Sequence, residues 1–298
     1  MNGSHLIVMG IDIGGSHITA GLVNMEKRGV LEGSIIRKRV NSHAAAEDIL
    51  DAWAECIMEL RLKTEIPIFK IGIAMPGPFD YENGVSLIKG FDKYELLYGT
   101  NIREALALRL GIPGGNILFR NDAEAFLEGE LFCGAAAGFD HAIGITLGTG
   151  LGSAVSHLGE TRDAALSVME YKGTKIEEFV STRGLIDIYH SISGVIITDV
   201  RYLAQLAATD AGACEAFLVF AKHLAWFLQQ FIAQESPQVL VIGGNIANAS
   251  DLFMPEVERV LSIEGVELPK ILMAMLGEDA AIIGAACCFQ KQAAPIGK

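Results

Sequence analysis

Three short stretches of this 298-residue chain combine residue types that could hold phosphate and move a proton. The first, Asp12-Ile13-Gly14-Gly15-Ser16-His17, places a carboxylate just ahead of two glycines and a hydroxyl. Glycines let successive backbone N–H groups converge on one anion, and a carboxylate at that point can hold Mg2+ through water. Thr146-Leu147-Gly148-Thr149-Gly150-Leu151-Gly152-Ser153 repeats the arrangement in the second half. Each stretch alone also fits a plain β-hairpin with a glycine turn. The third, Asn121-Asp122, falls where a strand gives way to a helix, and either residue could simply cap that helix. If both glycine turns face one cleft, this strand end lies between them. Asp122 can then accept the proton of a hydroxyl that attacks a γ-phosphoryl group.

A dinucleotide-binding glycine fingerprint competes with the phosphate-turn reading. It requires a helix directly after Gly152, whereas Ala154-Val155-Ser156-His157 continues as a strand pattern.

The elements that position these residues follow from periodicity. Apolar or β-branched runs at 6–13, 18–23 and 30–38 predict three strands in an antiparallel meander. An amphipathic helix follows, with Ile49, Trp53, Ile57 and Leu60 on its core face and Glu47-Asp48 at its start. A strand at 69–75 stops at Pro76-Gly77-Pro78, a helix spans 102–110, and a strand at 117–119 precedes Asn121. The second half restarts with strands at 141–146 and 152–157, turns helical over 176–234, adds a strand at 239–242 before Gly243-Gly244, and ends in a helix over 279–290. Both halves open with strand, glycine hairpin and strand, a weak internal repeat within an α/β chain whose halves would face one another across a cleft.

With 51% hydrophobic and 20% charged residues, the chain can bury large cores, and its length suits two domains. The formal charge of -13 argues against a nucleic-acid partner, which needs a basic face. The apolar segments read as interrupted well short of membrane-spanning length, and the N-terminus lacks the order of a signal peptide, so a soluble cytoplasmic protein with no membrane partner is expected. Cys56, Cys133, Cys214, Cys287 and Cys288 are odd in number and form no CxxC pair, which suggests neither a disulfide framework nor a zinc ribbon. His5, His43, His141, His157, His190 and His223 show no metal spacing, and Trp53, Trp226, Phe227 and Phe231 read as core.

At these residues the sequence resembles the ROK family of sugar kinases and repressors over nearly its whole length. DIGGSH at 12–17 looks like the family's first phosphate motif, GIAMPGPFD at 72–80 like its interdomain segment and NDAEA at 121–125 like its catalytic motif. TLGTGLGS at 146–153 is similar to the second phosphate motif, and VIGGNIA at 241–247 to the adenosine motif. The resemblance implies an actin-like, ribonuclease H-like ATPase fold of two domains around a cleft: 1–118, completed by a C-terminal helix at 283–298, and 119–282. It implies an ATP- and Mg2+-dependent transfer to a hexose hydroxyl, in the first place the 6-hydroxyl of glucose, by a homodimer. By the same carry-over Asp122 is the general base, and Asn121, Gly77 and Glu177 bind the sugar. Gly14, Gly15, Ser16, Gly148, Thr149 and Gly150 surround the phosphates, Gly243 and Gly244 pass beside adenosine, and Asp12 holds Mg2+ through water. A catalytically silent sugar-binding regulator of the same fold is the alternative.

The chain also departs from the family. Zinc-binding members carry E-x-G-H followed by close cysteines, and here 163–173 reads DAALSVMEYKG with no cysteine nearby, so no zinc site is expected. Alignment on Met169-Glu170-Tyr171-Lys172-Gly173 puts Ala165-Leu166-Ser167-Val168 where polyphosphate-using glucokinases also keep E-x-G-H. Glu170 is the candidate to replace the lost carboxylate. His17 stands where the phosphate motif often has Lys.

Overall fold

The computed structural model describes residues 7–290. The chain divides into two compact units, one formed by Met1–Ala137 with Glu278–Lys298 and the other by Gly138–Gly277.

In the first unit, β1 (Ile7–Ile13) and β2 (His17–Asn24) form an antiparallel hairpin around the first glycine turn. Two short strands, β3 (Gly29–Val30) and β4 (Ile36–Arg39), pair with different parts of β2. The single strand expected over 30–38 is therefore broken. Gly33 turns the chain with φ 70°, and the buried Ser34 hydroxyl donates to the Leu31 carbonyl and accepts the Leu22 N–H, which fixes the turn. Helix α1 (Ala46–Leu62) buries Ile49, Trp53, Ile57 and Leu60, the face its spacing predicts. After β5 (Ile71–Met75) come a small hairpin, β6 (Phe79–Asp80) with β7 (Val85–Ser86), then α2 (Ile102–Leu110), β8 (Ile117–Asn121) and α3 (Asp122–Cys133). The main sheet runs β3-β2-β1-β5-β8, with β1, β5 and β8 parallel.

The second unit opens with β9 (His141–Leu147), β10 (Leu151–His157) and β11 (Glu160–Asp163) as an antiparallel meander. A two-strand hairpin, β12 (Glu170–Tyr171) with β13 (Thr174–Lys175), leads to the helical region. That region is four helices: α4 (Glu177–Val180), α5 (Thr182–Ser193), α6 (Val200–Leu206) and α7 (Ala211–Glu235). The breaks have causes: Gly194 ends α5 in the left-handed region, and the Asp199 and Asp210 carboxylates cap α6 and α7. Then follow β14 (Val239–Gly243), α8 (Met254–Ile263) and β15 (Lys270–Met273). The sheet order is β11-β10-β9-β14-β15, with β9, β14 and β15 parallel.

The two units thus share one strand path, β1, β5 and β8 corresponding to β9, β14 and β15. The internal repeat of the sequence is a repeat of topology. It extends to β15, which the sequence did not announce because Lys-Ile-Leu-Met has neither alternation nor a β-branched run. Helix α7 corrects another expectation: it is long and apolar enough to cross a membrane. Here Phe217, Phe220, Leu224, Phe227 and Phe231 form the centre of the second core.

The chain returns to the first unit with α9 (Asp279–Ala286), which gives way to a 3-10 turn at Cys287–Phe289 instead of running on to 290; residues 291–298, where part of the expected C-terminal helix falls, lie outside the described residues. Helix α9 packs without an intervening side-chain layer. A methyl built on Gly10 or Gly72 would overlap the carbonyl oxygen of Ile282 or Ala285, and one on Gly129 or Gly284 would overlap the carbonyl of Ala280 or Ala125. Because β8 pairs with β5 and α3 packs on α9, both belong to the first unit, and the division falls after Ala137 and not at 118/119. Gly10→Ala should lower unfolding stability by about 2 kcal/mol or more, since backbone must move to admit the methyl. Gly15→Ala, whose methyl meets no atom nearer than 3.8 Å, should leave the denaturation midpoint close to wild type.

Candidate functional site

In the first unit the three parallel strands end together, and Asp12, Met75 and Asn121 lie at those carboxyl ends, where open α/β sheets place ligands. Asp12 sits opposite Thr19 and Ala74, one residue before β1 ends. Desolvation, and then the charge of Asp122, push its carboxyl up to about 6, against the pull of the Arg37 guanidinium. The turn beyond it is held by the Gly14 N–H donating to the His17 carbonyl at 2.9 Å. Gly15 and Ser16 are exposed, and the Ser16 hydroxyl lies 2.8 Å from His17 Nδ1.

At the end of β8, Asn121 is the buried N-cap of α3. Its Oδ1 accepts the N–H groups of Ala123 at 2.8 Å and Glu124 at 3.2 Å. Its Nδ2 donates to the Tyr81 hydroxyl at 3.1 Å, which in turn donates to the Met75 carbonyl at 3.0 Å. A methyl on Gly77 would sit 3.4 Å from that same hydroxyl, so Gly77, Tyr81 and Asn121 form one cluster. The capping explanation holds for Asn121, whose amide keeps one N–H for a ligand. Asp122 is exposed at the first turn of α3, and its Oδ1 accepts the Ala123 N–H at 2.9 Å.

In the second unit the glycine turn joins β9 to β10 and is followed by strand, which removes the dinucleotide reading. Gly148 and Gly150 close the turn with an N–H to carbonyl bond of 3.1 Å, and Thr149 is exposed at its tip. At the end of β14, Gly243 pairs with Thr146, and Gly244, at φ 89°, lies where any side chain would overlap the backbone of Leu147. The adenosine and phosphate motifs of the sequence are therefore neighbours. Glu177 also comes here: its Oε2 accepts the Leu151 N–H at 2.8 Å and lies 2.5 Å from where a Gly150 methyl would be. The Thr182 N–H donates to the Gly148 carbonyl at 2.8 Å, so the joint between α4 and α5 braces the turn from behind.

The chain matches the ROK family over residues 8–163 and 171–292. It belongs to that family. A glucokinase of Thermotoga maritima is 28% identical over 96% of this chain and 98% of its own length. An N-acetyl-D-glucosamine kinase of Photobacterium profundum is 27% identical over 93% of this chain and 97% of its own. The crystal structure of a ROK hexokinase from Thermus thermophilus matches with a TM-score of 0.77 at 25% identity, covering 94% of this chain and 96% of that one. The fold is the actin-like ATPase fold of ROK kinases, and the protein is a phosphotransferase of the sugar-kinase class with an alcohol acceptor.

The segment where the sequence lacks E-x-G-H folds as a 3-10 turn at Leu166–Val168, entered through Ala165 at φ 51°. Ser153 Oγ receives the Leu166 N–H at 3.0 Å. Glu170 is exposed on β12 opposite Lys175. Tyr171 and Phe179 stack with Trp226 and the buried His223, whose ring burial lowers to about 4. Among the described residues no group of three or more His, Cys, Asp or Glu is placed to hold a metal ion. Sequence reasoning missed Tyr81, which carries no motif of its own, and the bracing by Glu177, which depends on a contact between residues 26 positions apart.

Two outcomes follow. The Asp12 carboxyl rises from 3.8 to about 6 on folding, so the native state holds its proton more tightly, and the cost of ionising it is absent below pH 4 and complete above pH 6. Asp12→Asn should therefore stabilise the ligand-free protein by about 2–3 kcal/mol at pH 8 and by only about 0.5 kcal/mol at pH 4, read from denaturant unfolding at both pH values. Glu177→Ala should weaken Mg-ATP binding about tenfold in calorimetry because the Leu151 N–H loses a charged acceptor. Loss of sugar affinity alone would give Glu177 a sugar contact without the bracing role.

Proposed function

We propose that this ROK protein transfers the γ-phosphoryl group of Mg-ATP to a hexose hydroxyl, most directly the 6-hydroxyl of glucose or of a close relative. The observation that carries the reading is the carboxylate pair of the first unit. Asp122 is exposed at a strand-to-helix junction while Asp12, at the neighbouring strand end, feels its charge. The Asp122 carboxylate accepts the Ala123 N–H at 2.9 Å, faces solvent at the first turn of α3, and can take the proton of an attacking hydroxyl. Asn121 orients that hydroxyl through its remaining N–H, and Gly77 lets the sugar approach the backbone. The twofold negative charge at Asp12 and Asp122 suits a divalent cation, which supplies charge neutralisation at the transferring phosphoryl group. Asp12 would hold it through water.

In the second unit, Thr149 and Gly150 offer N–H groups to phosphate at a turn that the Gly148 N–H closes, and Gly243 and Gly244 make room beside it for adenosine. We place the protein in the cytoplasm, as an assembly of two chains. Glucose is favoured by the Thermotoga maritima relative and an N-acetylated amino sugar by the Photobacterium profundum one, so a panel of aldohexoses and amino sugars with ATP decides between them. ADP release above background with at least one sugar is expected. No release with any, under conditions where a control glucokinase works, would leave the silent sugar-binding reading in its place. Asp122→Asn should lower kcat by about 100-fold or more while sugar affinity by thermal shift stays near wild type.

A further inference from the structure

The segment between Lys89 and Gly99 belongs to no motif of the sequence, yet it is built against the first glycine turn. Tyr94 is wholly buried, its ring edge-on to Trp53 at 5.3 Å, and its hydroxyl donates to the Gly14 carbonyl at 2.7 Å. Burial pushes that phenol up to about 12, so it remains a donor at any working pH. The Tyr94 N–H donates to the Ser42 carbonyl at 2.8 Å, and Glu95 Oε1 accepts the N–H groups of Gly90 at 2.9 Å and Asp92 at 3.2 Å. Asp92 and Tyr94 are both left-handed, with φ 53° and 55°, a conformation that costs non-glycine residues energy and persists where the surroundings impose it.

Between these two fixed residues stands Lys93. Its side chain passes over Gly15, with Cδ 3.8 Å from where a methyl on that glycine would lie. It is partly buried, and its ammonium makes no hydrogen bond or ion pair with a described residue. The other groups nearby are engaged: Arg37 with Glu278 at 2.7 Å, and His17 with the Ser16 hydroxyl. A partly buried lysine whose ammonium has no described partner, passing over a turn whose Gly15 and Ser16 are exposed, is arranged to meet an anion.

We propose that Lys93 is a phosphate-contacting residue of the first glycine turn, held over Gly15 by Tyr94, whose hydroxyl fixes the turn through the Gly14 carbonyl. Its ammonium meets the terminal phosphoryl group of the donor and adds positive charge where the transfer develops negative charge. The inference rests on the reading of this turn as a phosphate site.

The test is calorimetric binding of a non-hydrolysable Mg-ATP analogue and of Mg-tripolyphosphate to wild type, Lys93→Met, Lys93→Arg and Tyr94→Phe, each checked for folding by thermal melting. Lys93→Met should weaken both ligands about tenfold, Lys93→Arg should stay within about threefold, and the wild-type advantage should shrink at high salt. Tyr94→Phe keeps the packing on Trp53 and should also weaken both, with the KM for sugar unchanged. Lys93→Gln provides the same readout if the Met variant does not fold. A wild type that binds and transfers phosphate while Lys93→Met binds equally well overturns the role of Lys93 alone. A wild type that binds neither phosphate ligand overturns the phosphate-turn reading and this inference with it.

Discussion

Helix α9 lies so close to the first sheet that its carbonyl oxygens occupy the space where side chains of residues 10 and 72 would stand. Backbone against backbone leaves no layer of flexible side chains to absorb a shift, so the relative heights of β1 and β5 are set by van der Waals contact. The same helix meets α3 through Gly129 and Gly284, which fixes α3 against the sheet. Asp12, Gly77 and Asp122 each sit at an end of an element so fixed. The positions of the carboxylates are consequences of four glycines that themselves carry no chemistry.

This rigidity lets the unit hold two carboxylates in mutual repulsion. Asp12 cannot leave the buried strand end, and desolvation first, with the charge of Asp122 second, raises its carboxyl to about 6. Native proteins commonly give up stability where function needs charge. The second unit uses a different economy. Its glycine turn is braced by a carboxylate that accepts a turn N–H directly, from a helix start brought in by the chain fold. The two units share a strand path and differ in how each supports its turn.

Much of the fold was legible because its signals are local. The α1 face at Ile49, Trp53, Ile57 and Leu60 follows from spacing, the hairpins from glycine between apolar runs, and the Asn121 cap from its place at a strand end. The strand over 30–38 was read as one because its apolar character is continuous, and the bond from Ser34 back to Leu31 that breaks it is invisible in composition. Helix α7 passed for a chain of interrupted segments although it is apolar over membrane-spanning length, since Lys222 and Glu215 fall on its outer face.

The sequence by itself determined the residue types at the site and their order: two glycine turns, one Asn-Asp junction and one Gly-Gly pair, each local enough to be written in a few consecutive positions. Tertiary structure decided which of them serve alone and which are held by others. Asn121 is committed to capping and to Tyr81, Glu177 reaches a turn 26 residues earlier, and Lys93 stands over Gly15 beside Tyr94, which reaches Gly14 across 80 positions. Those pairings arise from packing of surfaces distant along the chain, and residue spacing holds no record of them.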